Sequence, residues 1–277
     1  MSKKRLEEVN GLIKEAQAFT AEFLGINYPK QLSITQVKEH ICYELYVSPK
    51  LELLYDYFEI SQELSPDKGR ISRLAKKSKK EGNDVFMKEL EAYENGGIFL
   101  TEQTAKFANT GIVGTIMHEL LHTQLDLDIS VEESIASTIE SLATVRFYEQ
   151  KEGKQSRNYE KAVIDDNHAI VNDHIIIQYY YMLYDVYGQE ILDKEKLKIK
   201  KELCKEAEQK LTFECKLNNA SLTYYMTYSR YANDIREICK YTPLKDAVSF
   251  FKQLPKDRMQ AYNSLKELIS SYKNNKI

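Results

Sequence analysis

The chain has no tryptophan, and only five prolines, ten glycines, four cysteines and five histidines among its 277 residues. So few backbone breakers leave long stretches free to coil, and a largely helical protein is expected. Cys42, Cys204, Cys215 and Cys239 form no CxxC pair, which excludes a zinc ribbon and a redox dithiol. Four thiols in so long a chain do not make a disulfide framework either; buried free thiols in a reducing compartment are expected. No uninterrupted apolar run reaches the ~18–20 residues of a membrane span. Neither charge dominates: 39 basic side chains face 42 acidic ones, for a net charge of -3. No strong field is therefore available to recruit nucleic acid or an anionic membrane, and neither is expected as a partner.

What is present suits a soluble globular chain, with 43% apolar and 29% charged residues and length enough for a substantial core. Leu6, Val9, Leu12, Ile13, Ala16, Phe19 and Phe23 repeat on one face of a first helix that should end near Gly25. Glu7, Glu8, Lys14 and Glu15 interrupt that segment, so it lacks the apolar run of a signal peptide, and a cytoplasmic location is expected.

Further along, the cluster Lys76 to Lys80 reads as a solvated helix end. Asn95-Gly96-Gly97 signals a turn and Ile98-Phe99-Leu100 a short strand. Helices are expected over 111–122, 131–150 and 169–187, the last capped by Gly188, and again from 195 with breaks at Asn218-Asn219, Pro243 and Pro255. The polar run from Lys151 to Ser156 suggests a division into 1–150 and 151–277.

The informative line runs from Gly114 to Gln124 and contains His118-Glu119-Leu120-Leu121-His122. Histidines at i and i+4 lie one above the other on a helix, so both imidazoles can reach one zinc ion. Glu119 then sits beside a metal-activated water as a general base rather than a ligand. With five histidines, such a pattern arises by chance in roughly 1% of comparable chains. Ile112, Val113, Ile116, Met117, Leu120 and Leu121 make the rest of the helix apolar, as a rigid, dry site requires. A third protein ligand is needed. Ser130 can cap a following helix that opens with Glu132 and Glu133, and Asp126 and Asp128 lie just before it.

His118-Glu119-x-x-His122 followed by Glu133-x-x-Ala136 resembles the gluzincins, the clan of thermolysin-like peptidases and zinc aminopeptidases. The resemblance covers roughly residues 95–150. It implies zinc as cofactor, His118, His122 and Glu133 as its ligands, and a peptide or protein substrate. Glu132, Asp126 and Asp128 remain alternatives to Glu133. Some members place an aspartate one turn after the ligand to orient a zinc histidine. Here that position is Ser137, so support must come from elsewhere. The clan also supplies a tyrosine or histidine from its second lobe to stabilise the oxyanion. Tyr224, Tyr225, Tyr228, Tyr231, His168 and His174 are candidates that no motif separates, and Tyr228 is carried forward as catalytic beside Glu119.

The expected architecture is α+β: a mostly helical zincin-like fold with a small β-containing lobe before the HExxH helix and a helical lobe after it. The expected function is zinc-dependent peptide hydrolysis. Two alternatives are a regulatory HExxH peptidase that cleaves one partner such as a repressor, and a zinc-binding helical interaction protein without activity. A repressor-cleaving enzyme usually carries a helix-turn-helix module, and no such module is evident.

Overall fold

A computed structural model describes residues 3–33, 42–90, 92–94, 98–100 and 104–274. The turn expected at Asn95-Gly96-Gly97 lies outside them. Helix α1 (Lys3–Phe19) continues into a π-helical turn (Thr20–Leu24). Gly25 ends it with φ 67°, a left-handed conformation that a Cβ would strain, and donates its N–H to Thr20.

Strand β1 (Cys42–Ser48), helix α2 (Tyr57–Ile60), strand β2 (Ser61–Ser65), helix α3 (Lys68–Lys80) and strand β3 (Asp84–Leu90) follow. Asp67 caps α3 by accepting from the Arg70 amide at 3.0 Å. Lys77, Lys79 and Lys80 occupy its last turn, where cations complement the helix dipole. Strands β4 (Ala92–Glu94) and β5 (Ile98–Leu100) then pair antiparallel, placing the expected strand at 98–100.

Helices α4 (Asn109–His122), α5 (Ile129–Glu152), α6 (Arg157–Gly188), α7 (Asp193–Lys210), α8 (Asn219–Ser229), α9 (Ala232–Tyr241), α10 (Leu244–Phe251) and α11 (Arg258–Asn274) complete the chain. The breaks fall where the sequence puts them. Asn218 caps α8 in a reciprocal box with Ser221, Pro243 precedes α10, and Pro255 lies between α10 and α11. Helix α6 stops at Gly188 without the left-handed cap expected there; Gly153, at φ 81°, ends α5 and donates its N–H to Glu149. The mostly helical α+β class is as expected, with the strands ahead of the motif helix and helices after it.

The chain divides into two compact units that interleave in sequence. One comprises Met1–Lys38, Glu91–Asn167 and Tyr231–Ile277; the other comprises Glu39–Leu90 and His168–Arg230. Residues 150 and 151, where a consecutive division was expected, lie side by side within α5. The first unit has one core: Val9, Ile13 and Ala16 from α1, most of α4, Ile135, Ile139 and Ala143 from α5, with Ile235, Val248 and Leu265. Burial on this scale contributes ~25 cal/mol per Å² of apolar surface, so α4 is held by packing on several sides.

The second unit is built on an antiparallel sheet in the order β2-β1-β3. Leu45 packs with Ile71 and Val85, whereas the next residue, Tyr46, packs with Ile60, Ala220 and Tyr224. Both faces of β1 are therefore covered, and the polar–apolar alternation that marks a half-exposed strand is lost. Elsewhere in this unit Tyr179, Tyr180 and Leu183 of α6 are core residues, whereas Tyr181 and Tyr184 on the same helix are exposed. All four cysteines are free thiols. No described helix is long and apolar enough to cross a membrane.

Candidate metal centre

Helix α4 is apolar almost all round, with Ile112, Val113, Ile116, Met117, Leu120 and Leu121 buried. A helix of that composition is fixed from most directions, and His118 and His122 emerge from it toward α5. Their rings lie one turn apart and meet edge to face, with centroids 4.8 Å from each other. His122 is the last helical residue, and the Leu121 carbonyl accepts from the amides of Gln124 and Leu125, so α4 ends tightly.

Helix α5 restarts within a few residues. Its cap is Asp128, whose carboxylate accepts from the Ser130 amide at 3.0 Å, rather than Ser130 as the sequence suggested. A charged acceptor two residues earlier takes the capping role, and Ser130 is buried with no partner for its hydroxyl among the described residues. The short connection brings α5 back along α4, and Ala136, fully buried, adds no bulk between them.

Three atoms converge as a result. His118 Nε2 lies 3.0 Å from His122 Nε2 and 3.2 Å from Glu133 Oε2, and His122 Nε2 lies 3.4 Å from the same oxygen. Four-coordinate zinc with bonds of about 2.0–2.1 Å separates neighbouring ligand atoms by about 3.3 Å. The triangle thus has the size of one face of such a site. His118, His122 and Glu133 form a group that could hold a metal ion.

The opposite ring nitrogens show why these atoms attract a cation. His118 Nδ1 lies 2.9 Å from Glu140 Oε2, and His122 Nδ1 lies 2.7 Å from Glu132 Oε1. A carboxylate accepts, so each Nδ1 donates to its outer carboxylate, and Nε2 is the nitrogen that each ring turns toward the other histidine and Glu133. Two imidazole nitrogens and a carboxylate oxygen then face one another in a largely buried space. A metal ion, or protons, must bridge them.

The acidities follow the same logic. Burial opposes a charged His118, but hydrogen bonds to Glu133 and Glu140 outweigh it and hold the imidazole well above its ordinary value. His122 is likewise pulled down by burial yet raised to about 9 by Glu132 and Glu133. Burial would raise Glu133, but the two histidines hold it well below the usual carboxylate range. The pocket favours positive charge.

Glu119 is partly buried and has no hydrogen-bond partner among the described residues. Burial is the main cause of its raised pKa, with the two histidines pulling the other way.

The alternative ligands are engaged elsewhere. Glu132 is turned onto the outer nitrogen of His122, and its second oxygen accepts from the Leu127 amide at 3.1 Å. Asp126 is exposed and pairs with Lys256, and Asp128 caps α5. Sequence reasoning missed Glu140. It lies seven residues after Glu133, two turns along the same helix face, which is the signal that could have found it. Tyr228 belongs to α8 in the other unit, where its hydroxyl accepts from Tyr224 at 3.2 Å and its ring stacks on Tyr57. Tyr224 and Tyr225 are on the same helix, and His168 and His174 are on α6. Tyr231 is in the first unit, its amide donating to Ser134 at 3.3 Å.

Two histidines and a carboxylate on adjoining helices, with a further carboxylate behind each ring, define a candidate metal centre of hydrolase type. The chain belongs to the family described as "Putative aminopeptidase", whose model matches residues 67–276, from α3 through α11 and including both helices of the centre. That family assignment supports peptidase activity on a peptide substrate. No curated protein and no solved structure matches the chain.

Proposed function

We propose that this chain is a zinc-dependent peptidase of gluzincin type, acting on the amino-terminal end of peptides. The observation that carries the reading is the convergence of His118 Nε2, His122 Nε2 and Glu133 Oε2 within 3.4 Å, inside the His118-Glu119-x-x-His122 helix. His118, His122 and Glu133 would hold the ion. When bound, zinc supplies Lewis acidity that lowers the pKa of a water to about 7 and polarises a carbonyl.

This chain's residues supply the rest. Glu132 and Glu140 keep the two imidazoles in the tautomer that offers Nε2. Glu119 accepts the proton of the attacking water and returns it to the departing amine. A carboxyl raised by burial is the better base for the first transfer, and its conjugate acid remains able to serve the second. A non-catalytic zinc protein would have no use for a carboxylate held unpaired beside the ligands.

The test compares an aminoacyl p-nitroanilide with its N-acetylated form, before and after chelation. Hydrolysis of the free-amine substrate alone, abolished by chelator and restored by zinc, is expected. Activity that survives complete metal removal contradicts the proposal; equal hydrolysis of both substrates removes the amino-terminal part of it.

A further inference from the structure

Helix α4 carries a glycine, Gly114, one turn before His118. Glycine is among the weakest helix formers, and its usual reason for being chosen is absent here, since its φ is not positive. Gly114 is buried, and its surroundings explain it. A Cβ at this position would lie 2.6 Å from Glu140 Oε1 and 3.2 Å from both Cγ and Cδ of the same side chain. The first distance is closer than any real contact. The obstacle is the end of a flexible side chain rather than backbone, so a methyl group here would be accommodated by Glu140 swinging aside. Yet the other oxygen of that carboxylate, Oε2, is the one that holds His118 Nδ1 at 2.9 Å. Moving the carboxylate away from Gly114 therefore also moves the oxygen that holds the ring.

We infer that Gly114 is a positioning residue for the metal centre: its missing side chain makes the space in which the Glu140 carboxylate lies to orient His118. The inference rests on the reading of His118 as a metal ligand. An outer carboxylate fixes the tautomer and rotation of a ligating imidazole and raises its basicity, and losing such a partner typically weakens metal binding by about 10–100-fold. Gly114 acts on the ion only through Glu140 and His118. Its substitution should therefore damage the centre without damaging the helix.

That combination separates the inference from a packing role. The experiment measures zinc affinity, by competition with a chromophoric chelator, and the Tm of the metal-free protein. It uses the full chain as wild type, Gly114→Ala, Glu140→Ala and the double variant. Gly114→Ala is expected to weaken zinc about 10–100-fold. Its metal-free Tm should fall no further than that of Glu140→Ala, because the two variants lose the same His118–Glu140 hydrogen bond and alanine is the better helix former. Once Glu140 is alanine the space is free, so Gly114→Ala should change zinc affinity less than about twofold in that background.

Wild-type zinc affinity in Gly114→Ala overturns the inference, as does an equal loss in both backgrounds. A metal-free Tm below that of Glu140→Ala overturns it too, by showing a packing defect beyond the lost hydrogen bond. If Gly114→Ala does not fold, the double variant decides. Matching Glu140→Ala in Tm and affinity supports the inference, and falling below it refutes it. Wild-type protein that binds no zinc refutes instead the reading of the site as a metal centre, which is a distinct result.

Discussion

Glu132 and Glu133, adjacent on α5, meet His122 from opposite ends of its ring. Glu132 Oε1 lies 2.7 Å from Nδ1, and Glu133 Oε2 lies 3.4 Å from Nε2. Successive residues on a helix point about 100° apart, which is how one pair of carboxylates serves both nitrogens of a single imidazole.

Unequal losses follow for the two glutamates. Glu133→Ala removes a proposed ligand and should abolish tight zinc binding. Glu132→Ala removes only the group that orients His122, and should weaken zinc about 10–100-fold while leaving it measurable. Isothermal titration or chelator competition distinguishes them. The reverse order would make Glu132 the ligand; no loss from Glu133→Ala would exclude Glu133.

Glu119 separates binding from chemistry. Glu119→Gln keeps the side chain's volume and removes the base, so zinc content should be unchanged while kcat falls about 10²–10⁴-fold. Steady-state kinetics with parallel elemental analysis reads both quantities. Loss of zinc in Glu119→Gln would make it a ligand, and wild-type kcat would end its assignment as the base.

The metal-free protein should lose stability as pH rises from about 6.5 to about 9. His122 is raised from 6.5 to about 9 in the folded chain, so its contribution is complete below about 6.5 and disappears as pH passes about 9. His118, also raised, acts in the same direction. Glu133 is lowered, so its contribution is present above about 4.5 and stays constant across this window. Urea unfolding in EDTA from pH 6 to pH 9.5 should show the midpoint falling. In the same range zinc affinity should rise, because fewer protons compete for the ligand atoms. A midpoint that climbs with pH would mean the histidines are not held protonated by these carboxylates.

Much of this was legible in the residues, and the failures have physical causes. His118, Glu119 and His122 announce themselves because chemistry demands fixed spacing on one helix. Asn218, Pro243 and Pro255 mark helix breaks because their backbone preferences are local. β1 was hidden because Leu45 and Tyr46 are both buried, on opposite faces, and no alternation remains to be read. Ser130 was a plausible cap that Asp128 displaced, a competition between neighbours that spacing cannot resolve. The roles of Glu140 and Gly114 depend on how closely α5 approaches α4, which no single helix reveals. The interleaving of the two units likewise depends on contacts between segments far apart in the chain.

The most direct test of the metal centre is elemental analysis of purified protein after zinc loading and desalting, comparing wild type with the His118→Ala/His122→Ala double variant. The expected result is about one zinc per chain in wild type and a negligible amount in the double variant, with both folded by circular dichroism. Wild type that retains no zinc, or a double variant that retains as much, would contradict it.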